Sequence, residues 1–509
     1  MSITSFYFWP FLLAALVVYY LTPSAKQWVL LLLASLAFSV LVCGWAALAY
    51  LLLGVMPAYL GARCVSSLES PRARKAVLAA TLVLIIGELA ALKYTTLISN
   101  IVGIFSGLLG TETGFSPWRL AVPLGVSYYT LSLIGYVLDV YWGKYPPQTN
   151  FLKQLLFACY FPQLTSGPIT RYDQMAGELY GGHEFDPKRI LFGVQRMLWG
   201  LFKKLVIADR AAIFVTAIYS DFYSCNGFVI AAAVVMFALQ LYADFSGCMD
   251  IILGVSECFG IRLPENFDTP FFSETVAEFW RRWHITMGVW FKDYLLYPVL
   301  KSAKMQRYGA RLKKRFGKKA SKDIVTYTGL VLIWLIIGVW HGGDYKYIFA
   351  SGVLPGFFLV SGQLLQPVFE KTNKLLKINT ETTSWHCFRM LRTFACMCAS
   401  WLFIRAPGLA DGFRIIGQLF SSFNIWTLFD DRLLTFGLTW KDFSVINLGV
   451  AAIWIAGLLH RRGVHIRESV FRQNIAVQYL ITLAAIFAII ILGIYGPAYS
   501  ASDFIYKNF

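Results

Sequence analysis

Apolar stretches approaching the ~20 residues needed to cross ~30 Å of hydrocarbon recur through this 509-residue chain. They lie at 3–21, 28–60, 76–92, 120–140, 228–255, 324–340, 348–365, 391–404, 445–459 and 476–495. The stretch 28–60 is long enough for two spans broken near Gly44, and the mixed stretches 151–162 and 190–218 add candidates, giving roughly eleven in all. In hydrocarbon every backbone N–H and C=O must be satisfied internally, so such a chain folds as a bundle of helices. A hydrophobic content of 57% against 14% charged residues agrees with that class. The longest polar interruptions, 301–323 and 371–385, leave no room for a soluble domain. The chain therefore reads as one integral membrane domain, 1–509, with its chemistry inside the bundle.

The net charge of +17 would suggest a nucleic-acid partner in a soluble protein. Here Lys and Arg cluster between spans, as the positive-inside rule expects, and no nucleic acid is implied. Ten Lys/Arg and no acid fall between Lys301 and Lys322, so this stretch reads as a cytoplasmic loop, with 63–75, 371–392 and 461–472 as weaker candidates. Attraction to anionic lipid is worth on the order of 1 kcal/mol per charge near the surface, and an acidic carrier or nucleotide-bearing donor could dock there too. The first apolar segment lacks a basic leader and a small-residue cleavage site, so it reads as a retained span in a chain that starts near Met1. The nine cysteines are scattered, with only Cys396-Met397-Cys398 close-spaced, and no Cys/His metal spacing occurs. No Walker loop, dinucleotide fingerprint or nucleophile elbow is present either.

Two histidines occupy apolar, aromatic settings. His284 ends Phe279-Trp280-Arg281-Arg282-Trp283-His284, and His341 stands in Gly338-Val339-Trp340-His341-Gly342-Gly343. A titratable ring in lipid is costly unless it is paired, hydrated or used. His341 closes a helix that the two glycines open, and a neutral imidazole there could take a proton from a hydroxyl attacking a thioester carbonyl. Burial lowers a histidine pKa and helps keep it a base. His183, His386, His460 and His465 lie in polar or basic segments and read as surface residues.

Other polar positions interrupt the apolar runs. Gln240, Asp244 and Ser246 lie within two turns of a greasy helix, with Asp250 one turn beyond, and need partners inside the bundle. Lys203 and Lys204 with Asp209-Arg210 suit either a snorkelling interfacial helix or a pocket. The run 160–172, with Pro162, Gly167 and Pro168, reads as a broken or re-entrant segment. Residues 263–270 read as a proline-bounded loop, and 285–298 as a short amphipathic helix at depth.

The runs at 123–129, 160–172, 200–210, 240–250, 262–267, 279–298 and 338–343, in this order, resemble the membrane-bound O-acyltransferase (MBOAT) superfamily. The similarity is to its bacterial branch, which contains the alginate O-acetyltransferase membrane subunit and the teichoic acid D-alanyl transfer protein. Trp401-Leu402-Phe403-Ile404-Arg405-Ala406 and Phe504-Ile505-Tyr506-Lys507-Asn508-Phe509 are similar to that branch too, although the family usually has a further aromatic where Lys507 stands. The resemblance implies an all-α polytopic MBOAT fold: a ring of helices around a thin central tunnel with re-entrant or interfacial segments. Peripheral helices would occupy 1–110, the core with both histidines 120–365, and C-terminal helices 387–509.

It further implies His341 as catalytic base and His284 as a second signature histidine that orients or binds substrate. Asp244, Gln240, Lys203, Trp340 and Trp283 are the accompanying substrate-binding or support candidates. No bound cofactor or metal is implied. The donor would be acetyl-CoA or an acyl-carrier thioester at the cytoplasmic face of a bacterial cell membrane. The acceptor would be an extracytoplasmic SGNH-type acetyltransferase or a glycan, and the product an O-acetylated exopolysaccharide or other envelope polymer. D-alanyl transfer from a carrier to teichoic acid is the alternative within the family. A polysaccharide or lipid transporter, with His, Asp and Gln lining its path, is the alternative outside it, disfavoured by the lack of an inverted repeat.

Overall fold

In the computed structural model residues 3–109 and 122–495 are described. The expected span start at 120 and the terminal motif 504–509 lie outside them. Nine helices among the described residues are long and apolar enough to cross a membrane, and two shorter apolar helices, Phe8–Leu21 and Thr95–Leu108, accompany them. Gly44 at φ 74° divides the long stretch 28–60 into Gln27–Cys43 and Ala46–Ser67, as its sequence suggests. The first apolar stretch forms only the 14-residue helix Phe8–Leu21, about 21 Å long at 1.5 Å per residue. The one domain expected over 1–509 packs as two compact units interleaved along the chain.

The first unit comprises Met1–Ala211, Gln240–Pro264 and Trp440–Phe509. Its helices pack through small residues, the way backbones approach closely where apolar burial offers no drive. A Cβ on Gly61 would meet the Thr81 side chain at 2.1 Å, which ties Ala46–Ser67 to Pro71–Lys93. A Cβ on Gly200 would sit 2.5 Å from the Gly247 carbonyl, and one on Gly254 would sit 2.6 Å from that of Gly193. These contacts bring Pro187–Leu201 against the later part of Gly227–Cys258. The former continues as a π-helical stretch, Phe202–Ala208, that turns both Lys203 and Lys204 inward. The run 160–172 is broken as its prolines predict: helix Phe151–Cys159 stops, a single turn Phe161–Leu164 follows, and irregular chain leads to Tyr172–Tyr180. Gln163 Nε2 stitches it by donating to the Pro168 carbonyl and to Thr170 Oγ1, 2.7 Å away.

The second unit comprises Ala212–Leu239 and Glu265–Thr439. Its main correction concerns the basic stretch, expected as a loop. Residues 303–341 are helical throughout except at Gly317, whose φ of 80° breaks the run. Lys, Arg and Ala are good helix formers, and Ser302 caps the start by accepting from the Met305 N–H. Ser321 Oγ donates to the Gly309 carbonyl at 2.8 Å, so the two arms fold onto each other while all ten basic side chains stay exposed. Beyond the break the helix runs on to His341. Tyr345–Leu364 returns alongside it, and a Cβ on Gly338 would sit 2.9 Å from the Ile348 carbonyl.

Candidate active site

In the second unit His284 sits in a left-handed conformation, φ 49° and ψ 51°, between the short helices Val276–Arg282 and Ile285–Phe291. Such a conformation is uncommon for a non-glycine residue and costs on the order of 1–3 kcal/mol unless its surroundings impose it. They do. Phe267 and Trp283 form an antiparallel bridge, the Asp268 N–H donates to the Arg282 carbonyl, and the Ile285 N–H donates to the Asn266 carbonyl, both at 3.0 Å. The proline-bounded loop expected at 263–270 is thus a clamp on the histidine turn.

Asn266 is buried, and its Oδ1 accepts from the Thr286 N–H at 3.1 Å, from Thr286 Oγ1 at 3.0 Å and from His284 Nδ1 at 3.3 Å. A backbone N–H can only donate, so the atom facing Thr286 is the amide oxygen, and His284 Nδ1 must then carry the proton. Nε2 is left as the basic nitrogen. Burial holds the His284 imidazole well below its ordinary range, and the nearby His341 pushes it the same way. The ring is therefore neutral near pH 7.

His341 is buried at the end of its helix. The Trp340 ring neighbours both histidines, its centroid 5.1 Å from the His341 ring and 6.3 Å from that of His284. Trp283 is fully buried, stacked on Phe279 and 4.9 Å from Trp401. It packs behind the histidine turn and anchors it.

The remaining candidates fall in the first unit. Asp244 pairs with Lys204, the neighbour of the lysine singled out, at 2.6 Å, and Lys204 also reaches Asp209 at 2.9 Å. Lys203 meets Ser246 Oγ at 2.8 Å and Asp250 at 2.5 Å, and Asp250 also takes Arg196 at 3.1 Å. Three cations and three carboxylates thus compensate one another under cover. Gln240 is buried near the cluster in sequence, and its Oε1 accepts no hydrogen bond from the described residues.

Two histidines expected at the surface have partners. His183 Nδ1 lies 3.0 Å from the Tyr19 hydroxyl, and its N–H and C=O are both bound by the Gln27 amide. His386 Nδ1 lies 2.8 Å from Glu274, which also takes Arg389. Asn266 and Glu274 are polar residues that sequence alone does not single out, and the pairing of Lys204 with Asp244 is not legible there either, because the partners lie 18, 112 and 40 positions away. No group of three or more His, Cys, Asp or Glu among the described residues could hold a metal ion.

The fold is that of a helical membrane protein, and residues 147–312 match the MBOAT, membrane-bound O-acyltransferase family. The chain carries that family's domain and is a multi-pass membrane protein. The matched stretch includes Lys203, Asp244, Asn266 and His284 and ends before His341. The chain is 28% identical over 352 residues to the probable alginate O-acetylase AlgI of Pseudomonas syringae pv. tomato, covering 68% of this chain and 61% of that protein. It is 26% identical to the peptidoglycan O-acetyltransferase of Helicobacter pylori, covering 60% of this chain and 58% of that protein. Against the teichoic acid D-alanyltransferase of Bacillus subtilis the identity is 28%, over 51% of this chain and 63% of that protein. The similarity thus spans about three fifths of these relatives' length.

Proposed function

We propose that this chain is an O-acyltransferase of the bacterial cell membrane. It takes an acetyl group from a cytoplasmic thioester, acetyl-CoA or an acyl carrier, and passes it across for O-acetylation of an exopolysaccharide or other envelope polymer. The observation that carries this reading is the pair of buried rings, His284 and His341, that share Trp340 as a neighbour. His341 takes the proton of the attacking hydroxyl as its oxygen bonds to the thioester carbonyl carbon. The C–S bond then breaks, and the same proton passes to the departing thiolate to give a free thiol. Neutral His284, held through Nδ1 by Asn266, presents Nε2 as an acceptor that orients the substrate. Trp340 positions both rings, Trp283 supports the turn, and the Lys203, Asp244 and Gln240 region braces the first unit.

The acetyl group is favoured because the acetylase relatives align with more of this chain than the D-alanyltransferase does. An extracytoplasmic SGNH-type acetyltransferase or the glycan itself would receive it. Purified protein in lipid, given radiolabelled acetyl-CoA and a candidate acceptor, tests the reading. Wild type transfers label and His341→Ala does not; label transfer undiminished by His341→Ala removes the base assignment. Transfer only from a D-alanyl carrier would select the other branch.

A further inference from the structure

Three spans of the second unit, within Ala303–His341, Tyr345–Leu364 and Thr383–Arg405, alternate in direction. The first begins in the run of ten basic residues, and Lys371, Lys374 and Lys377 follow the second. His341, Lys346 and Arg405 therefore stand at the opposite ends of these helices from the basic stretches. The positive-inside rule concentrates Lys and Arg on one side, so cations at the far ends need their own explanation.

Other arginines at that end have an acid: Arg414 pairs with Asp411 at 2.8 Å, and Arg432 with Asp430 at 3.6 Å. Lys346 and Arg405 differ, since neither forms an ion pair with any described carboxylate. Lys346 Nζ donates to the carbonyl of Ala406, the residue after Arg405, at 2.9 Å, and lies over the Tyr347 ring. Arg405 donates to Thr216 Oγ1 at 3.1 Å, and its guanidinium carbon lies 5.5 Å from the Tyr219 ring centroid. The Asp344 carboxylate caps the Lys346 backbone N–H at 3.0 Å and forms no ion pair with its ammonium. Both cations are half-buried. Phe349, Phe403 and Phe413, with centroids 4.8–5.5 Å apart, fix the chain beneath them. Tyr347 packs on the Gly342 that follows His341, where an added Cβ would meet its ring at 2.4 Å.

We infer that Lys346 and Arg405 bind an oxyanion, a carboxylate or phosphate carried by the acceptor that enters beside His341. The geometry combines a planar guanidinium fork with a point charge, the pairing that suits such a group. This deepens the acyl-transfer reading and rests on it for the acceptor's identity.

Binding is measured without donor, on the full chain in zwitterionic nanodiscs, with a uronic-acid hexasaccharide and its carboxyl-reduced neutral counterpart. Parallel arms use inorganic phosphate and nanodiscs containing phosphatidylglycerol. Arg405→Gln and Lys346→Gln, each checked for unchanged thermal midpoint, should raise Kd for the anionic oligosaccharide about tenfold or more. They should leave the neutral one unaffected, and Arg405→Lys should recover part of the loss. With transfer running, the change should appear in KM rather than kcat. Equal binding of charged and reduced sugars, wild-type affinity in both Gln variants, or a charge effect confined to the lipid arm would each overturn the acceptor assignment. Charge-dependent binding in a protein that transfers no acyl group would overturn the acyl-transfer reading and leave an oxyanion site.

Discussion

Asn266 Oδ1 accepts from His284 Nδ1 at 3.3 Å while also accepting from both donors of Thr286, so one side chain sets the tautomer of the histidine and closes the turn that carries it. Asn266→Ala leaves three buried donors without this acceptor, at about 1–3 kcal/mol for each one unsatisfied. A ring misplaced by about 1 Å costs on the order of 100-fold in rate. The expected outcome is a lower thermal midpoint together with a large fall in acyl transfer. Asn266→Asp keeps the acceptor oxygens, so stability should recover better than rate, because the new carboxylate favours the imidazolium. A wild-type rate in Asn266→Ala would remove the positioning role.

The depressed pKa of His284 makes stability depend on pH with a definite sign. The folded value lies below the unfolded one of about 6.5, so the unfolded chain binds the extra proton first. Its contribution is complete above about pH 6.5 and is lost as pH falls below that, with a limiting slope of about 1.4 kcal/mol per pH unit. His284→Gln carries no titrating ring. Thermal midpoints measured from pH 7.5 to 5 should fall more steeply for wild type than for this variant, and parallel curves would refute it.

Much of this was legible in the chain. Apolar run length marks the spans, and Trp340-His341-Gly342-Gly343 announces a helix end with a ring worth burying. What local pattern does not carry is pairing at a distance. Asn266 meets His284 across 18 residues, and Lys204 rather than Lys203 meets Asp244 across 40, because a π-helical stretch sets which of two adjacent lysines faces which acid. Charge density suggested a loop at 301–323, yet backbone propensity there favours helix, and only Gly317 interrupts it. Trp283 shows the same limit: its place beside His284 is plain in the sequence, while its packing against Phe267, Phe279 and Trp401 is visible only in the fold.

At Gly338 the backbones of Ala303–His341 and Tyr345–Leu364 approach closely, and its missing Cβ is what permits the approach. Gly338→Ala should cost about 1–3 kcal/mol through overpacking and lower the transfer rate by shifting His341. Gly362→Ala is the control, since nothing lies within 4 Å of its added Cβ. A helix-interior alanine there should be neutral or stabilising by up to about 1 kcal/mol. Equal thermal midpoints for the two variants would contradict the close-packing account.

The Lys204–Asp244 pair, 2.6 Å apart with both side chains almost fully covered, should behave as a buried ion pair. Lys204→Met removes the ammonium that Asp244 and Asp209 share, and breaking such a pair from one side typically costs about 3–5 kcal/mol. Asp244→Asn is milder, because Lys204 retains Asp209 at 2.9 Å and the amide still offers an oxygen. Lys204→Met combined with Asp244→Leu and Asp209→Asn removes all three charges and should recover most of the loss, since a packed apolar replacement avoids desolvating ions. Thermal denaturation of the single and combined variants in one detergent gives the coupling directly. Additive losses would mean that the three groups act independently, and the cluster would then not brace the first unit as a single network.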